Sequence, residues 1–452
     1  MTEQRDLETI ATQVMQEALK KGADVAEVSL GRSWDLSVKV RLGNVELLEE
    51  AGSSGLALRV IRGDRVSATS TTDLTEAGLL RCVEDALMLV ELSEADPFAA
   101  PADPSELSHG PYPELDLFDP AISSITGLDA IQRAREAEAV ALSLDPRLTL
   151  SEGATFGRTS SEGIIALSGG FIGRTRGSYA SLVVTPVAED EGGKRRRGYY
   201  WSAARHLSDL EPSEAVGREA ARRTLAKLGA RKVKTCTAPV IFDPDVSRSL
   251  IGAFAGCIMG GSVWRRSSYL LEREGTEVAS PLVTIIDDPH IVRGPGSKGF
   301  DGEGLATRRN VVVESGVLKT YLCDCYSARK LERKSTGNAA RGGGSISAST
   351  TNFILQPGTP TPAELIASTP TGLYVTEMMG MGFNPVTGDF SRGAAGFWIE
   401  NGKLTFPVSE VTISSNLDAM LKGIDAIAND LSLKTSTAAP TLRIQSMTIA
   451  GT

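Results

Sequence analysis

A helix, a run of strands and a second helix are signalled in the same order twice before residue 235. This repeat limits the possible folds more than any other feature of the chain. Leu7, Ile10, Val14 and Ala18 recur at three- and four-residue spacing, and Gly22 follows as a stop. The stretches "DVAEVSLGRS", "WDLSVKVRLGNVELLEE" and "SGLALRVIRGDRVSATS" then alternate apolar and polar residues around Gly-Asn and Gly-Asp turns. Leu79, Cys82, Val83, Ala86 and Val90 return to helical spacing. The second pass runs from "GLDAIQRAREAEAVALSLD" through "RLTLSEGATFG", "SEGIIALSGGFIG" and "RGSYASLVVTPVAED" to "PSEAVGREAARRTLAKLGA". Asp73-Leu74 and Asp209-Leu210 enter the two closing helices alike. The pattern predicts a duplicated helix–β-meander–helix unit, each copy burying one sheet face under its helices.

Between the copies, "DPFAAPADPSELSHGPYPELDLFDPAIS" is rich in Pro and Asp and reads as an extended crossing segment. "AEDEGGKRRRG" has acids before a Gly-Gly pair and bases after it, which suits a hairpin with charges paired across its turn. From Ala238 the texture changes. "APVIFDP" and "PLVTIIDDP" read as buried strands, "VVVESGVLKTYLCD" and "GFWIENGKLTFPVSEVTI" as hairpins, and "SNLDAMLKGIDAIAND" holds a helix. The expected class is α+β, with a mostly β C-terminal half carrying a few helices. A chain of 452 residues exceeds one ordinary core. The expected divisions are an N-terminal α+β unit over 1–95, a connector over 96–123, a second α+β unit over 124–234 and a β-rich domain over 235–452.

A net charge of −9 argues against nucleic-acid binding, which needs a basic face. The longest uncharged run, between Arg248 and Arg265, is Gly-rich and shorter than the ~20 residues of a membrane-spanning helix. The opening "MTEQRDLETIATQVMQEALKKG" is charged and amphipathic, unlike a secretory leader. Cys82, Cys236, Cys257, Cys323 and Cys325 are scattered and odd in number, so no disulfide framework is expected and a reducing cytoplasm is the simplest home.

Motifs for chemistry are sparse. His109, His206 and His290 form no H-E-x-x-H, and surface roles suit the first two. His290, at the end of a buried strand in "DDPHIVRGPG", is the better ligand candidate, with structural hydrogen bonding its ordinary role. Strand alternation would put Cys323 and Cys325 on one face, where core packing is expected ahead of metal chemistry. "SARK" from Ser327 to Lys330 matches S-x-x-K without its companion motifs, and "RGGGSIS" lacks the G-K-[ST] of a phosphate loop. A non-zinc catalytic route would draw on His290, Asp301, Glu303 and Asp389, although acids beside glycine in "FDGEG" and "TGDFS" equally suit loop structuring. "RSLIGAFAGCIMGG" reads as a small-residue helix after a short apolar run, with no acid, histidine or charge beyond Arg248.

Several C-terminal segments nonetheless match a known pattern in order: "DDPHIVRGPGSKGFDGEGLATRRNVVVESGVLKTYLCDCYSARKL", "STGNAAR", "GLYVTEMMGMGFNPVTGDFSRGAAGFWIENGKLTFPVSEVTISSNL" and "IAND". Together with "GLALRVIRGDRVSATSTTDL" they closely resemble the TldD/PmbA family, and "TGDFS" and "IENGKLTFPVSE" favour its PmbA (TldE) branch. In the TldD branch, the resemblance implies, the helix equivalent to "LIGAFAGC" carries H-E-x-x-x-H. Its histidines and a distant cysteine hold zinc there, and its glutamate activates water. The aligned positions here are Gly252, Ala253 and Cys257, and the closing "NDLSLKTSTAAPTLRIQSMTIAG" contains no cysteine. Histidines five apart are expected near one helix face.

The resemblance therefore implies a subunit without catalytic residues or metal of its own, zinc in a TldD-type partner, and unfolded or flexible peptides as substrates, in the cytoplasm. Assembly with that partner or with itself follows, and the small residues of "GAFAGCIMGG" suggest a helix near the dimer centre. His290, Asp301, Glu303, Asn338, Arg341 and Asp389 are the expected cleft or interface residues. The alternative is a stand-alone homodimeric peptide-binding or scaffold protein. The label modulator of DNA gyrase, also attached to the family, gains no support from the acidic composition.

Overall fold

The N-terminal helices, all but the last of which begin at a side-chain cap, bury the stripes their spacing predicts. The computed structural model describes residues 6–452. In α1 (Leu7–Lys20) the Asp6 carboxylate accepts the Glu8 N–H, and Leu7, Ile10, Ala11, Val14 and Ala18 are buried. Strands β1 (Val25–Arg41), β2 (Asn44–Arg62) and β3 (Arg65–Thr71) follow, then α2 (Glu76–Leu92), capped by Thr75. The second pass has the short α3 (Pro120–Ser123), then α4 (Gly127–Ser143) behind a Thr126/Asp129 capping box. It continues with β4 (Leu150–Leu167), β5 (Phe171–Glu189), β6 (Arg195–Arg197), β7 (Tyr200–Ala204) and α5 (Ser213–Leu225).

The two copies share one sheet. Its order is β3-β2-β1-β4-β5-β6, with β7 also on β5, and β1 pairs antiparallel with β4 from Glu27↔Leu167 to Val40↔Ala154. Where the sequence suggested breaks, between "GRS" and "WDL" and between "ATFG" and "SEG", the strands run straight through as β1 and β4. The reason lies in what covers them. Ala26, Val28 and Leu30 pack with Ile164 and Ala166 under α1 and α2. Leu36, Val38 and Val40 pack with Ala154 and Phe156 under α4 and α5. All these positions lie on one face, so each long strand serves both helix pairs and turns polar in the gap between them. Each buried Leu, Val or Phe here contributes roughly 1.5–3 kcal/mol of transfer free energy.

The basic hairpin closes as its charges suggested, with Arg196 Nε 2.7 Å from Asp190 Oδ2. The connector is extended and held along the C-terminal half. Arg329 donates to the carbonyls of Phe98, Ala100 and Pro101. The Ser108 N–H reaches the Gly304 carbonyl at 2.8 Å.

In the C-terminal half, β8 (Cys236–Phe242) pairs with Thr371–Met379 and Leu442–Ala450. Lys403–Asn416 pairs with both Asp389–Glu400 and Leu442–Ala450, which closes a five-stranded barrel. A second sheet is built on Ile285–Asp287, and a hairpin spans Ala339–Gly342 and Ser345–Ala348. The α+β class and the shift to mostly β structure both hold. Cys323 and Cys325 do not share a strand face, because Cys325 opens a helix, Cys325–Lys330, capped by Asp324. Cys323 packs in the barrel-side core and Cys325 in a separate cluster with Phe171, Phe300 and Leu305.

Candidate functional site

The apolar run "PVIF" becomes β8, and α6 (Pro244–Ile258) starts directly after it. Asp243 caps α6 by accepting the Val246 N–H at 3.0 Å. Val246, Leu250, Ile251, Phe254, Cys257 and Ile258 are buried, while Arg248, Ser249, Gly252 and Ala253 are half-buried and Gly256 is exposed. A Cβ placed on Gly252 or Gly256 would meet nothing within 4 Å. This helix thus has one core face and one open face lined by small residues.

Arg248 carries the same side of α6 to the N-terminal sheet, one side of which no helix covers. The C-terminal half grips that side at two places. At one end Glu27 of β1 is held by Arg59 at 3.0 Å and by Arg341 at 2.7 Å. At the other the Tyr179 hydroxyl donates to the Lys434 carbonyl at 2.9 Å, and Arg205 donates to the carbonyls of Gly294 and Pro295. Between these grips β1 presents Gly31, Ser33, Asp35 and Ser37, and β4 presents Gly157, Thr159, Ser161 and Gly163, on one face. Ala51, Asp35, Thr159 and Tyr179 form a row across four strands. Asp35 accepts hydroxyls from Thr159 at 2.7 Å and Ser33 at 2.8 Å. Asp35, Ser37, Thr159, Tyr179 and Ser181 line a cavity of about 280 Å³. Arg248, on the open side of α6 one turn before Gly252, lies 5.6 Å from the Trp201 ring. Burial pushes the Tyr179 phenol up, against the charges of Arg205 and Arg248. The result is a shallow, hydroxyl-lined floor with α6 at its margin.

The residues aligned with a zinc helix do not fit a zinc ion. Gly252 and Ala253 carry no donor atom, and the Cys257 side chain is fully buried on the core side. Burial pushes its thiol up to about 12, far from the thiolate a metal needs. Five residues along a helix turn through about 140° away from the starting face, so positions 252 and 257 do not share a face in this helix. Among the described residues no group of three His, Cys, Asp or Glu is placed to hold a metal.

The other expected site residues divide into a buried frame and isolated surface groups. Asp301 accepts the N–H groups of Glu303, Leu305 and Ala339 at 2.9, 3.0 and 3.1 Å. Glu303 accepts the Cys325 N–H at 2.7 Å. Asn338 donates to Asp287 at 2.7 Å and to the Ser349 carbonyl at 3.0 Å. Arg341 reaches the Gly302 carbonyl as well as Glu27. These four tie the "FDGEG" and "STGNAAR" loops together and to the N-terminal sheet. His290 is exposed and bonds Thr307 at 3.1 Å. Asp389 is exposed at the end of a barrel strand, where Thr387 donates to it at 2.6 Å. His290, Asp301, Glu303 and Asp389 are not joined by any hydrogen bond to one another. Ser327 donates to Asp324, its helix cap, and the Lys330 ammonium stands 4.0 Å over the Phe98 ring, so "SARK" is structural. His206 is bound to the Asp116 carbonyl at 2.9 Å, and His109 is exposed. Asp35, Thr159 and Tyr179 escaped sequence reasoning; the only trace was a break in apolar alternation.

Burial holds several carboxyls of the C-terminal half above their ordinary values, Asp243 and Glu303 among them. Burial, reinforced by Asp245, raises Asp243 to about 7, and burial with Asp301 raises Glu303 to about 7. Such groups bind protons more tightly folded than unfolded, so they favour folding at low pH and lose that contribution as pH rises from about 4 to about 7. For Asp243 the difference amounts to at most roughly 4 kcal/mol. Asp243→Asn keeps a capping side chain and should raise stability at pH 8 while changing it little at pH 4. Urea unfolding of both proteins at the two pH values checks this, and equal effects at both would contradict it.

Comparison with known proteins gives this arrangement its place. Three PmbA/TldA metallopeptidase family profiles match in order: domain 1 over residues 26–89, the central domain over 120–228 and the C-terminal domain over 235–451. Metalloprotease PmbA of Escherichia coli O157:H7 is 38% identical over 432 residues, 95% of this chain and 93% of its own length. The chain belongs to the PmbA/TldD metallopeptidase family. A metalloprotease TldD homolog of Haemophilus influenzae is 26% identical over 88% of this chain and 87% of its own length. A crystal structure from Bacteroides thetaiotaomicron, named for modulation of DNA gyrase, superposes with a TM-score of 0.92 at 30% identity, covering 98% of this chain and 99% of that one. TldE of Thermococcus kodakarensis shares the fold, with a TM-score of 0.87 at 20% identity over 98% and 100% of the two chains. The family is named for metallopeptidases and includes both TldD and PmbA/TldE relatives, and no described helix of this chain is long and apolar enough to cross a membrane.

Proposed function

We propose that this chain is the PmbA/TldE-type subunit of a cytoplasmic TldD/TldE-like metalloprotease acting on unfolded or flexible peptides, with a non-catalytic or regulatory role. The observation that carries this reading is α6: at the three aligned positions it offers Gly252, Ala253 and a core-buried Cys257. The zinc and its activated water then belong to a TldD-type partner bearing H-E-x-x-x-H. This chain supplies a wall that excludes folded proteins, and the hydroxyl-lined strip of β1 and β4 suits an extended backbone, which needs many hydrogen-bonding groups and little side-chain selectivity.

A flexible peptide incubated with the chain alone, with zinc added, should stay intact, and cleavage should appear when the TldD-type chain of the same cell is added. Chelator-sensitive cleavage by the chain alone would refute the assignment. Co-purification of the two chains separates it from a stand-alone homodimeric scaffold. The open face of α6 also suits close approach of a partner backbone. Gly256 is exposed and a Cβ added there meets nothing within 4 Å, so Gly256→Phe should change stability by less than about 1 kcal/mol. Its association with the partner should weaken, and unchanged association would remove α6 from the interface.

A further inference from the structure

The two helix pairs leave a gap in the middle of the face they cover. There the sheet presents Trp34, Arg158, Ser160 and Glu162, and Phe118 and Ser123 add a wall, enclosing a cavity of about 350 Å³. Trp34 and Asp35 are successive residues of β1 and point to opposite faces, so this cavity is separated from the hydroxyl-lined floor by the thickness of the sheet.

Two ion pairs in it are already settled. Arg158 meets Glu50 at 2.9 Å, and Arg32 meets Glu162 at 3.6 Å. Three groups are left over. The Ser123 hydroxyl is buried with no hydrogen-bond partner. The Arg176 guanidinium lies 3.5 Å over the Phe118 ring with no carboxylate partner among the described residues. The Trp34 indole is 40% exposed. Leaving a buried hydroxyl unpaired is destabilising, and a bound acceptor would remove that cost.

What remains open is thus a cation and a hydroxyl beside two aromatic faces, while the acids are occupied. We propose that this cavity binds a small carboxylate carrying an aromatic ring. Arg176 and Ser123 receive the carboxylate, and Trp34 offers its face to the ring. The volume lies at the lower end of small-molecule pockets. An amine is disfavoured because Arg32, Arg158 and Arg176 bring three positive charges to this face against the two carboxylates of Glu50 and Glu162, the latter directly across the strand pair from Arg176.

Calorimetric titration of the full chain with 3-phenylpropionate tests this, with 3-phenylpropionamide and 2-phenylethylamine as neutral and cationic controls. The expected result is one saturable site of Kd about 1 mM or tighter, weakened about tenfold or more in Arg176→Gln and in Trp34→Ala. Both controls should bind at least about tenfold more weakly. Both substituted side chains lie at the surface, and an unchanged unfolding midpoint verifies the fold. No saturable binding up to about 10 mM, equal binding of the controls, or unaltered affinity in both variants would overturn the proposal.

Discussion

Cys257→His costs about 2–6 kcal/mol and builds no zinc site, even beside Gly252→His and Ala253→Glu. Cys257 is fully buried in the core of the C-terminal half. An imidazole there overpacks its neighbours, at about 1–3 kcal/mol, and takes a polar ring out of water, at about 1–3 kcal/mol more. By contrast, Gly252 faces open space and Ala253 is half-buried. Those two substitutions should be nearly neutral, because replacing a helical glycine recovers up to about 1 kcal/mol. Urea unfolding of the single, double and triple variants, with zinc measured after dialysis, checks both parts. A triple variant of wild-type stability holding one zinc would show that α6 can rotate its second ligand into the open.

Arg341→Met is expected to lower stability by about 3–5 kcal/mol, because it leaves a buried carboxylate with one cation in place of two. Glu27 is 3% exposed and lies between Arg59 and Arg341. Burial alone would raise its carboxyl, but the two guanidiniums outweigh burial and hold it below the ordinary 4.5. Its contribution is therefore complete above that value and is lost as pH falls through the depressed folded value. In Arg341→Met the folded value moves up, so the pH-dependent contribution shrinks and less stability is lost on acidification than in the parent. Adding Glu27→Gln should restore part of the stability, since the unpaired charge is then gone. Unfolding midpoints of the four proteins at pH 7 and pH 4 decide it, and strictly additive losses would mean that the contact does not join the two halves energetically.

The repeat of helix, strands and helix was legible because amphipathic spacing is local. The length of β1 and β4 was not, because residues 31–35 and their partners 159–163 lie in the gap between the two helix pairs and so carry no apolar alternation. Barrel closure depends on Lys403–Asn416 finding Leu442–Ala450, and the Glu27–Arg341 pair joins residues 314 positions apart; local pattern reports neither. Asp301, Glu303, Asn338 and Arg341 were picked as cleft or interface candidates; the structure buries the first three in hydrogen bonds that fix loops and puts Arg341 at the seam between the halves. The empty positions of α6 were readable only through the family pattern. The five-residue spacing was expected near one face, whereas in this chain Gly252 is open and Cys257 points into the core.

The central claim is that this chain brings no zinc to the enzyme it belongs to. The most direct test is elemental analysis of the purified chain, prepared without a metal-binding tag and dialysed after exposure to zinc. Zinc well below one per chain is the predicted result. A value near one, lost together with peptide cleavage on chelation, would contradict it and make Cys257, Cys323, Cys325 and His290 the ligands to test.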